Sequence, residues 1–275
     1  MDKPRSCGCK GCRTCLICEK DFGLSKSINI NKDNGTFVFC PWCNKAWPGW
    51  DLNDYKTHPN HQGNPIDYPG IYIEMDFLSD KEEQNLMEGI DNMPWELSQS
   101  GRRKQNFGPK CNFKKQRLRV GNFNGFPKFS EFVQIKFKNV PIMRDFQTIE
   151  QCSLEYNHER GASIDPHIDD CWIWGERIIT VNLLSDSVLT MTRFTGNDKK
   201  YNLNLVEKYP AVLDNKGAMN VSNEVFKISN NCENEVNKWP VVRIPMPRKS
   251  LLIMYGAPRY DWEHQVLRED INERR

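Results

Sequence analysis

The stretch Asp165-Pro166-His167-Ile168-Asp169-Asp170 places a histidine and an aspartate two positions apart. In an extended strand the side chains alternate between two faces, so His167 and Asp169 would point to the same side. An imidazole and a carboxylate side by side can bind a metal ion. The pair alone is equally compatible with an exposed turn, and the residues around it decide between these interpretations.

A third ligand is required, and His264 is the candidate because it follows the strand-like run Leu251 to Tyr255. Two imidazoles and one carboxylate form the facial triad of non-haem Fe(II) oxygenases. Open positions on the metal then accept a 2-oxo acid and dioxygen, which carry the oxidation. Alone, His264 is better interpreted as a buried core histidine. Together with the His-x-Asp pair, it predicts an iron site formed by His167, Asp169 and His264.

Short strand-like runs separated by turns occupy much of the chain. They are Ile71 to Ile73, Cys152 to Tyr156, Arg177 to Leu184, Val188 to Arg193, Val241 to Pro245 and Ser250 to Tyr255. This pattern predicts a mainly β (α+β) protein with a sandwich, barrel or jelly roll. A flanking helix is expected after Ser79, with Glu82 completing its cap and Pro94 ending it. The polar segment Gly196 to Asn237 predicts a long insertion loop.

The composition indicates a soluble protein without a strong electrostatic preference for a partner. The 275 residues include 38 basic and 36 acidic side chains, for a net charge of +2. Such a balance creates no overall field toward nucleic acid or a membrane, so binding of either would need a local patch. No apolar run approaches the ~18 residues that span a bilayer, and the opening residues Met1 to Gly11 lack the apolar region typical of a signal peptide. We therefore expect an intracellular protein of the cytoplasm and nucleus.

Cysteines are concentrated near the N-terminus. Of the eleven in the chain, seven lie in the first 43 residues: Cys7, Cys9, Cys12, Cys15, Cys18, Cys40 and Cys43. A stretch rich in proline and glycine, Trp47 to Gly70, follows them. We place a domain boundary near Pro65, which gives a cysteine-rich module over 1–65 and a second domain over 66–275.

Two Cys-x-x-Cys pairs within this module have nearly the spacing of a structural zinc site with four thiolate ligands. The predicted ligands are Cys15, Cys18, Cys40 and Cys43. Bound metal would supply folding energy that so small a module lacks. Three further cysteines, Cys7, Cys9 and Cys12, leave other ligand sets open, and His58 with His61 could supply nitrogen ligands. Reduced thiols in a mobile tail are the alternative without metal.

A basic segment lies between residues 102 and 119. Its cations are Arg102, Arg103, Lys104, Lys110, Lys114, Lys115, Arg117 and Arg119, and Phe107 and Phe113 are interleaved with them. Cations that follow phosphates and rings that stack on bases are typical of a groove for single-stranded nucleic acid. A solvated loop is the simpler alternative.

Longer stretches of the chain resemble the AlkB family of Fe(II)- and 2-oxoglutarate-dependent dioxygenases. The resemblance covers nearly all of residues 66–275. It is carried by Ser98 to Gln105, Gly108 to Lys110, Asn112 to Leu118, Ile164 to Asp170, Trp174 to Arg177, Asn182 to Ser185, and Arg259 with Trp262 before His264. The run Cys7 to Gly11 also resembles one subfamily. The resemblance implies a double-stranded β-helix (jelly roll) with iron and 2-oxoglutarate at one mouth.

The resemblance also implies roles for individual residues. His167, Asp169 and His264 match the family's iron ligands, and Tyr156 matches a tyrosine that hydrogen-bonds the cosubstrate. Arg275 matches the first of two arginines at the end of the family's core and would face the oxo-acid end of 2-oxoglutarate. The second arginine, which would anchor the distal carboxylate, is not reached within 275 residues. We therefore expect a truncated C-terminal strand.

Two further sets of residues receive roles from the resemblance. The basic segment corresponds to the family's substrate lid, whose residues here are Lys110, Asn112, Lys114 and Arg117. Arg259 is expected to support the iron ligands from behind. It is also the nearest candidate to anchor the distal carboxylate in place of the missing arginine.

The resemblance implies oxidative removal of N-methyl groups with release of formaldehyde, succinate and carbon dioxide. The resemblance implies methyl-lysine on a protein, actin in particular, as the first expectation for the substrate. The nearly neutral overall charge counts against nucleic acid. An N-methyl base in nucleic acid is the alternative. A non-enzymatic alternative is a zinc-bearing interaction protein with weak turnover. The expected cofactors are Fe(II), 2-oxoglutarate with dioxygen, and structural zinc.

Overall fold

The computed structural model describes residues 5–25, 30–229 and 239–271, in two compact units. The first unit consists of the described residues of Met1–Ile28, Ser79–Ile164 and Arg268–Arg275. The second consists of those in Asn29–Leu78 and Asp165–Leu267. Strands dominate the described residues, as the sequence predicts.

The helices and strands have the following bounds. The helices are α1 (Leu16–Phe22), α2 (Asp80–Asp91), α3 (Glu131–Phe137) and α4 (Gly256–Tyr260). The strands are β1 (Thr36–Cys40), β2 (Lys45–Pro48), β3 (Ile66–Asp67), β4 (Ile71–Glu74), β5 (Glu96–Leu97), β6 (Arg103–Phe107), β7 (Lys110–Asn112), β8 (Arg117–Arg119), β9 (Gln151–Glu155), β10 (Ile164–His167), β11 (Ile178–Val181), β12 (Ser187–Arg193), β13 (Val241–Met246), β14 (Leu251–Met254) and β15 (Trp262–Val266). All six predicted strand runs coincide with observed strands to within a few residues.

The first unit combines short helices with two small antiparallel sheets. Its three-stranded sheet has the order β5-β6-β9, and β7 pairs with β8 as a separate hairpin. Helix α2 begins with the predicted cap: the Ser79 hydroxyl accepts from the Glu82 backbone N–H at 3.2 Å, and the Glu82 carboxylate accepts from the Ser79 N–H at 2.8 Å. Reciprocal bonds of this kind satisfy two N–H groups that a helix N-terminus otherwise leaves free.

The second unit contains the larger sheet, in the order β10-β15-β12-β13-β1-β2-β3, and a three-stranded sheet in the order β11-β14-β4. Every residue of β13 and β14 is buried. Strands buried on both faces read as largely apolar runs rather than alternating ones. Leu251 to Met254 is such a run without interruption, and Val241 to Pro245 is interrupted by Arg243 alone.

The predicted boundary near Pro65 does not interrupt this sheet. Strand β1 pairs in parallel with β13, Thr36 opposite Val241, and β2 pairs with β1 on one side and β3 on the other. Strand β1 is therefore paired with residues 205 positions downstream, and β2 and β3 continue the same sheet. The cysteine-rich module of 1–65 is divided, because the described residues before 26 belong to the first unit and those from 30 to the second.

The segment predicted as an insertion loop is only partly irregular. It contains a kinked 3-10 helix, Lys200–Lys208, and buries Leu203. Its residues 230–237 lie outside the described part. Among residues 5–25, 30–229 and 239–271, no helix has the length and apolar character required to cross a membrane.

Candidate metal centre

Neighbouring strands of the larger sheet bring the three predicted iron ligands together. Strand β10 ends at His167 and lies beside β15, which carries His264. The two imidazole rings have centroids 4.2 Å apart. Asp169 follows β10 by two residues, and its side chain lies on the same side as His167, as the alternation of an extended backbone requires.

The distances among these side chains fit ligands of one ion. Asp169 Oδ1 is 3.7 Å from His167 Nε2, and Asp169 Oδ2 is 3.7 Å from His264 Nε2. One ligand atom from each of the three residues lies within 4.8 Å of the other two. Two imidazole nitrogens and one carboxylate oxygen that converge in this way form the donor set of a facial triad.

A hydrogen bond fixes the orientation of His167. Its Nδ1 lies 2.8 Å from the backbone oxygen of Asp165, an acceptor, so Nδ1 carries the proton. The lone pair is then on Nε2, which faces Asp169. An outer hydrogen bond of this kind selects the tautomer that a metal needs.

The pKa values of His264 and Asp169 are shifted toward the protonation states that bind a metal ion. Burial lowers the pKa of His264 to about 3, so its imidazole is neutral at physiological pH. Burial tends to raise the pKa of Asp169, but attraction to His264, His167 and the Arg259 guanidinium outweighs it and holds that pKa below its usual value. The guanidinium retains its charge when the imidazoles are neutral. A neutral imidazole and an ionised carboxylate are the forms that coordinate metal.

Arg259 on α4 supports the ligand loop from inside the second unit. Its side chain is 2% exposed. The guanidinium donates through Nη1 to the Asp169 carbonyl at 2.8 Å, through Nε to the Gly175 carbonyl at 3.1 Å and through Nη2 to the Asp170 carbonyl at 3.5 Å. These bonds fix the backbone that carries Asp169, and the guanidinium contacts the ligand residue itself.

Asp170 has a different task from its neighbour Asp169. Its carboxylate accepts from the Trp172 backbone N–H at 2.9 Å and from the Asn202 side-chain amide at 2.8 Å. The first bond closes the turn after the ligand stretch, and the second attaches that turn to the segment predicted as a loop. Asp170 thus stabilises the backbone next to the ligands through these hydrogen bonds and is not itself a candidate ligand.

Apolar residues behind the ligands form a cluster that the sequence analysis did not predict. Ile168, between the two ligands, is buried with Phe194, Leu203 and Tyr260. Leu203 belongs to the segment expected to be a polar loop, which also packs Phe226 against the cluster. The spacing of Leu203 and Val206 on the 3-10 helix was the available signal, because residues three apart share one face.

The residues expected to bind 2-oxoglutarate are described in part. Tyr156 directly follows β9 in the first unit, and the Arg102 guanidinium carbon lies 5.9 Å from the centre of its ring. Arg275 lies outside the described residues. The roles of Tyr156 and Arg275 in binding 2-oxoglutarate therefore stay predictions.

The expected substrate-lid residues lie on the β7–β8 hairpin of the first unit. Lys110, Asn112 and Arg117 are exposed, and the side chain of Lys114 lies outside the described part of the chain. Asn112 has a structural contact, because its side-chain oxygen accepts from the Lys115 backbone N–H at 3.0 Å. The apolar side chains of Phe113, Leu118 and Val120 are also exposed.

One cation of the predicted basic segment is used inside the first unit. Arg103 donates through two nitrogens to the Glu155 carboxylate across the paired strands β6 and β9. Arg160 donates to the same carboxylate and to the Gly101 carbonyl. Burial alone would raise the pKa of Glu155, but the bonds from Arg103 and Arg160 are stronger and lower it.

Replacing Glu155 with glutamine should therefore destabilise the protein by about 2 kcal/mol at neutral pH, since charge-assisted hydrogen bonds are lost. A carboxyl group whose pKa is lowered by folding stabilises the protein above its unfolded pKa, and that stabilisation is lost as the pH falls. The difference in the free energy of unfolding between wild type and Glu155→Gln, measured by urea denaturation, should shrink below pH 4. Glu159→Gln, at an exposed position, is the control. A difference that does not change with pH would contradict the assignment.

The predicted zinc ligands are not brought together as one set. Cys15 and Cys18 lie with Cys7 and Cys9 in the first unit, whereas Cys40 and Cys43 lie with His58 and His61 in the second. In each group one ligand atom from every residue lies within 4.8 Å of the others. The four-thiolate set of Cys15, Cys18, Cys40 and Cys43 is thus replaced by two groups, and Cys12 is exposed and belongs to neither.

Comparison with known proteins identifies similar chains of nearly the same extent. A Homo sapiens protein named alpha-ketoglutarate-dependent dioxygenase alkB homolog 4 is 39% identical over 272 residues, covering 98% of this chain and 84% of the relative. The Mus musculus protein of that name is 38% identical over 277 residues with the same coverages. A Caenorhabditis elegans protein named DNA N6-methyl adenine demethylase is 30% identical over 288 residues, again covering 98% and 84%.

The remaining comparisons add little. No protein-family model matches the chain. A solved structure titled "The structure of OsALKBH1" gives a TM-score of 0.36 at 10% identity, over 74% of this chain and 86% of that one. This score is too low to indicate a shared fold.

Proposed function

The chain belongs to the AlkB family of alpha-ketoglutarate-dependent dioxygenases, and from this premise we propose that it demethylates N-methyl-lysine on a protein. The observation that carries the site assignment is the convergence of His167, Asp169 and His264 on one point. We also propose that the two sheets of the second unit form the double-stranded β-helix that the sequence resemblance implies.

The donor set fits the metal that this chemistry needs. His167 and His264 would bind Fe(II) through neutral imidazole nitrogens and Asp169 through a carboxylate oxygen, a set that suits iron and leaves positions open. With 2-oxoglutarate and dioxygen, bound Fe(II) supplies the oxidation of an N-methyl group, which yields succinate, carbon dioxide and formaldehyde. We assign Tyr156 and Arg275 to the cosubstrate by resemblance alone.

The protein's own residues contribute positioning and shielding. The Asp165 carbonyl holds His167 in the correct tautomer, and Arg259 fixes the backbone of Asp169. The buried cluster around Ile168 covers the inner side of the ligand strand. Ligands held rigidly in a partly dry site keep the methyl group and the metal in reacting geometry.

A protein substrate is supported by the surface of the β7–β8 hairpin. Its exposed cations, Lys110, Arg117 and Arg119, are interspersed with the exposed aliphatic side chains of Leu118 and Val120. Aliphatic side chains cannot stack on bases, whereas they pack readily against a protein surface. Cations beside them favour an acidic partner, and actin is the candidate that the resemblance suggests.

A methylated nucleic acid is the second candidate. The observation in its favour is the name of the Caenorhabditis elegans relative, which describes a DNA N6-methyl adenine demethylase. Phe113, exposed on the same hairpin, could stack on a base. The net charge of +2 is the observation against it, because so small a total charge creates no overall attraction toward a phosphate backbone.

Formaldehyde release distinguishes the two substrates. Purified protein with Fe(II) and 2-oxoglutarate should release formaldehyde from methyl-lysine peptides and methylated actin, but not from DNA that contains N6-methyladenine. The double substitution of Leu118 and Val120 with serine should reduce turnover of the protein substrate while leaving 2-oxoglutarate oxidation without substrate unchanged. Release from the DNA alone would overturn the proposal for a protein substrate and favour the second candidate.

A further inference from the structure

The N-terminal segment 5–25 buries four of its five cysteines and exposes large apolar side chains. Cys15 and Cys18 are fully buried and Cys9 is 2% exposed, whereas Phe22 and Leu24 are each 44% exposed. The buried cluster of this segment consists of Cys7, Cys9, Cys15 and Cys18, with Ile17 packed against it. Hydrophobic burial would place the larger apolar residues inside, so another interaction must hold the cysteines together.

The distances between the sulfur atoms are those of ligands around one ion. Cys7 Sγ is 3.4 Å and Cys15 Sγ is 3.9 Å from Cys18 Sγ. A tetrahedral zinc ion with Zn–S bonds of about 2.3 Å separates its sulfurs by about 3.8 Å. All four sulfurs lie within 4.8 Å of one another. A cluster of several metal ions would hold its ligands farther apart, so a single ion fits best.

Hydrogen-bond donors point at these sulfurs. The Arg5 guanidinium donates to Cys18 Sγ at 3.3 Å, and the Ser100 backbone N–H donates to Cys9 Sγ at 3.2 Å. Such donors favour thiolates, and four adjacent thiolates would repel one another without a cation between them. We propose that Cys7, Cys9, Cys15 and Cys18 bind one Zn²⁺ in a closed, structural site.

The backbone of Gly8 permits this arrangement. Gly8 has a φ of +82°, and a Cβ there would lie 3.1 Å from the Leu97 Cβ and 3.2 Å from the Ser98 carbonyl oxygen. A residue with a side chain would be strained in this conformation and crowded against that strand. The Cys-Gly-Cys turn therefore brings both cysteines to one point beside the Leu97–Ser100 segment.

A second site stands on independent observations in the second unit. Strand β1 ends at Cys40, the turn that follows carries Cys43, and the 3-10 helix Asp54–Thr57 precedes His58. Cys40 Sγ is 3.7 Å from His58 Nδ1. Zinc with one sulfur and one nitrogen ligand separates them by about 3.6 Å.

The orphaned nitrogen of His61 completes this set. His61 Nε2 is buried and, among the described residues, has no hydrogen-bond partner, while its Nδ1 lies 3.0 Å from the Thr57 hydroxyl. Burying a nitrogen without a partner is costly, and a metal ion would satisfy it. Trp47 Nε1 donates to Cys43 Sγ at 3.2 Å, as expected for a thiolate. We infer that Cys40, Cys43, His58 and His61 bind a second Zn²⁺.

Both sites have four protein ligands and no open position, so their role is structural. The first ties segment 5–25 to Leu97–Ser100, where Arg13 also donates to the Gln99 side chain at 2.6 Å. The Leu97–Ser100 segment leads into Arg102 and the basic segment of the same unit. The second site locks the hairpin of β1 and β2, which extends the larger sheet beyond β13.

Zinc content and ligand type in the full chain test the proposal. Protein expressed with zinc and purified without chelators should contain two zinc ions per chain by elemental analysis, and the same two in His264→Ala, where the iron site cannot add to the count. X-ray absorption at the zinc edge should give an average of about three sulfur and one nitrogen ligand per zinc. One zinc with four sulfurs, no zinc, or iron with visible absorption at the cysteines would each overturn it.

Single substitutions assign each ion to its ligands. Cys7→Ser should lower the content to one zinc with mixed sulfur and nitrogen ligands, and His61→Asn should lower it to one zinc with sulfur ligands only. Cys12→Ser and His158→Asn are the matched controls and should retain both ions. If a variant fails to fold, the number of zinc sites can be measured in wild type instead. The thiols are titrated with a mercurial reagent, and the zinc that is released is followed. Release in two separate steps supports two sites, and a single step overturns them.

Discussion

Replacing Asp169 with alanine should lower the rate of 2-oxoglutarate oxidation at least a thousandfold, which corresponds to about 4 kcal/mol in activation free energy. Asp169 is the sole carboxylate of the triad and lies 3.7 Å from both imidazoles. The fold should survive, because an open metal site contributes less to folding than a closed one. Succinate formation, measured beside far-ultraviolet circular dichroism, checks both expectations.

Glu263→Gln is the matched control for this variant. Glu263 precedes His264 on β15, so its side chain points to the opposite face of the strand. There its carboxylate accepts from the Tyr201 hydroxyl at 3.0 Å. The control should retain turnover within a fewfold of wild type. Near-normal succinate formation in Asp169→Ala would contradict the triad assignment.

Substitution of Arg259 should weaken iron binding without removing a ligand. Arg259→Lys retains the charge but cannot reach the carbonyls of Asp169, Asp170 and Gly175 together. Each buried acceptor left without a partner costs about 1–3 kcal/mol, so we expect a loss of about 3 kcal/mol in unfolding free energy. Iron affinity should fall roughly 10- to 100-fold, as when an outer partner of a ligand is removed.

The control for Arg259→Lys is Arg193→Lys. Arg193 is another arginine of the second unit with a largely buried side chain, and its guanidinium lies 3.4 Å from the Asp261 carboxylate. Arg193→Lys should lower the free energy of unfolding, measured by chemical denaturation, while leaving the affinity for Fe(II) unchanged. Equal losses of iron affinity in the two variants would show that Arg259 acts through general stability and not through the ligand loop.

The local features of the iron site could be predicted from the sequence because they depend on backbone geometry alone. An extended stretch puts His167 and Asp169 on one side, whatever surrounds it. The cap of α2 is equally local, since Ser79 and Glu82 satisfy each other's backbone. The buried strand β14 is recognisable from its continuous apolar run, and β13 from a run that is apolar except for Arg243.

Features that depend on distant pairing could not be predicted. The parallel pairing of Thr36 with Val241 joins segments that carry no local signal for each other. The cysteine groups illustrate the same limit. A Cys-x-x-Cys spacing shows that two thiolates can meet one ion, but which other pair completes the site depends on the fold. Cys15 and Cys18 therefore meet Cys7 and Cys9 instead of Cys40 and Cys43.

The polar segment after Gly196 shows how composition can mislead. Its asparagines and charges indicate a loop, yet Leu203 is buried beside Ile168 and Tyr260. Asn202, itself polar, donates to Asp170 next to the ligands. A few apolar and amide side chains attach the segment to the site, and an average over the whole segment hides them.

Anaerobic titration with Fe(II) tests the central claim most directly. Wild type, Cys7→Ser and Glu263→Gln should each bind one Fe(II) tightly. Cys7 belongs to a cysteine group that is separate from the iron ligands, and Glu263 points to the opposite face of β15 from His264. His264→Ala should lose this binding, since two of three ligands cannot hold the ion in the facial arrangement. Equal Fe(II) affinity in wild type and His264→Ala would contradict the account and place the iron elsewhere in the chain.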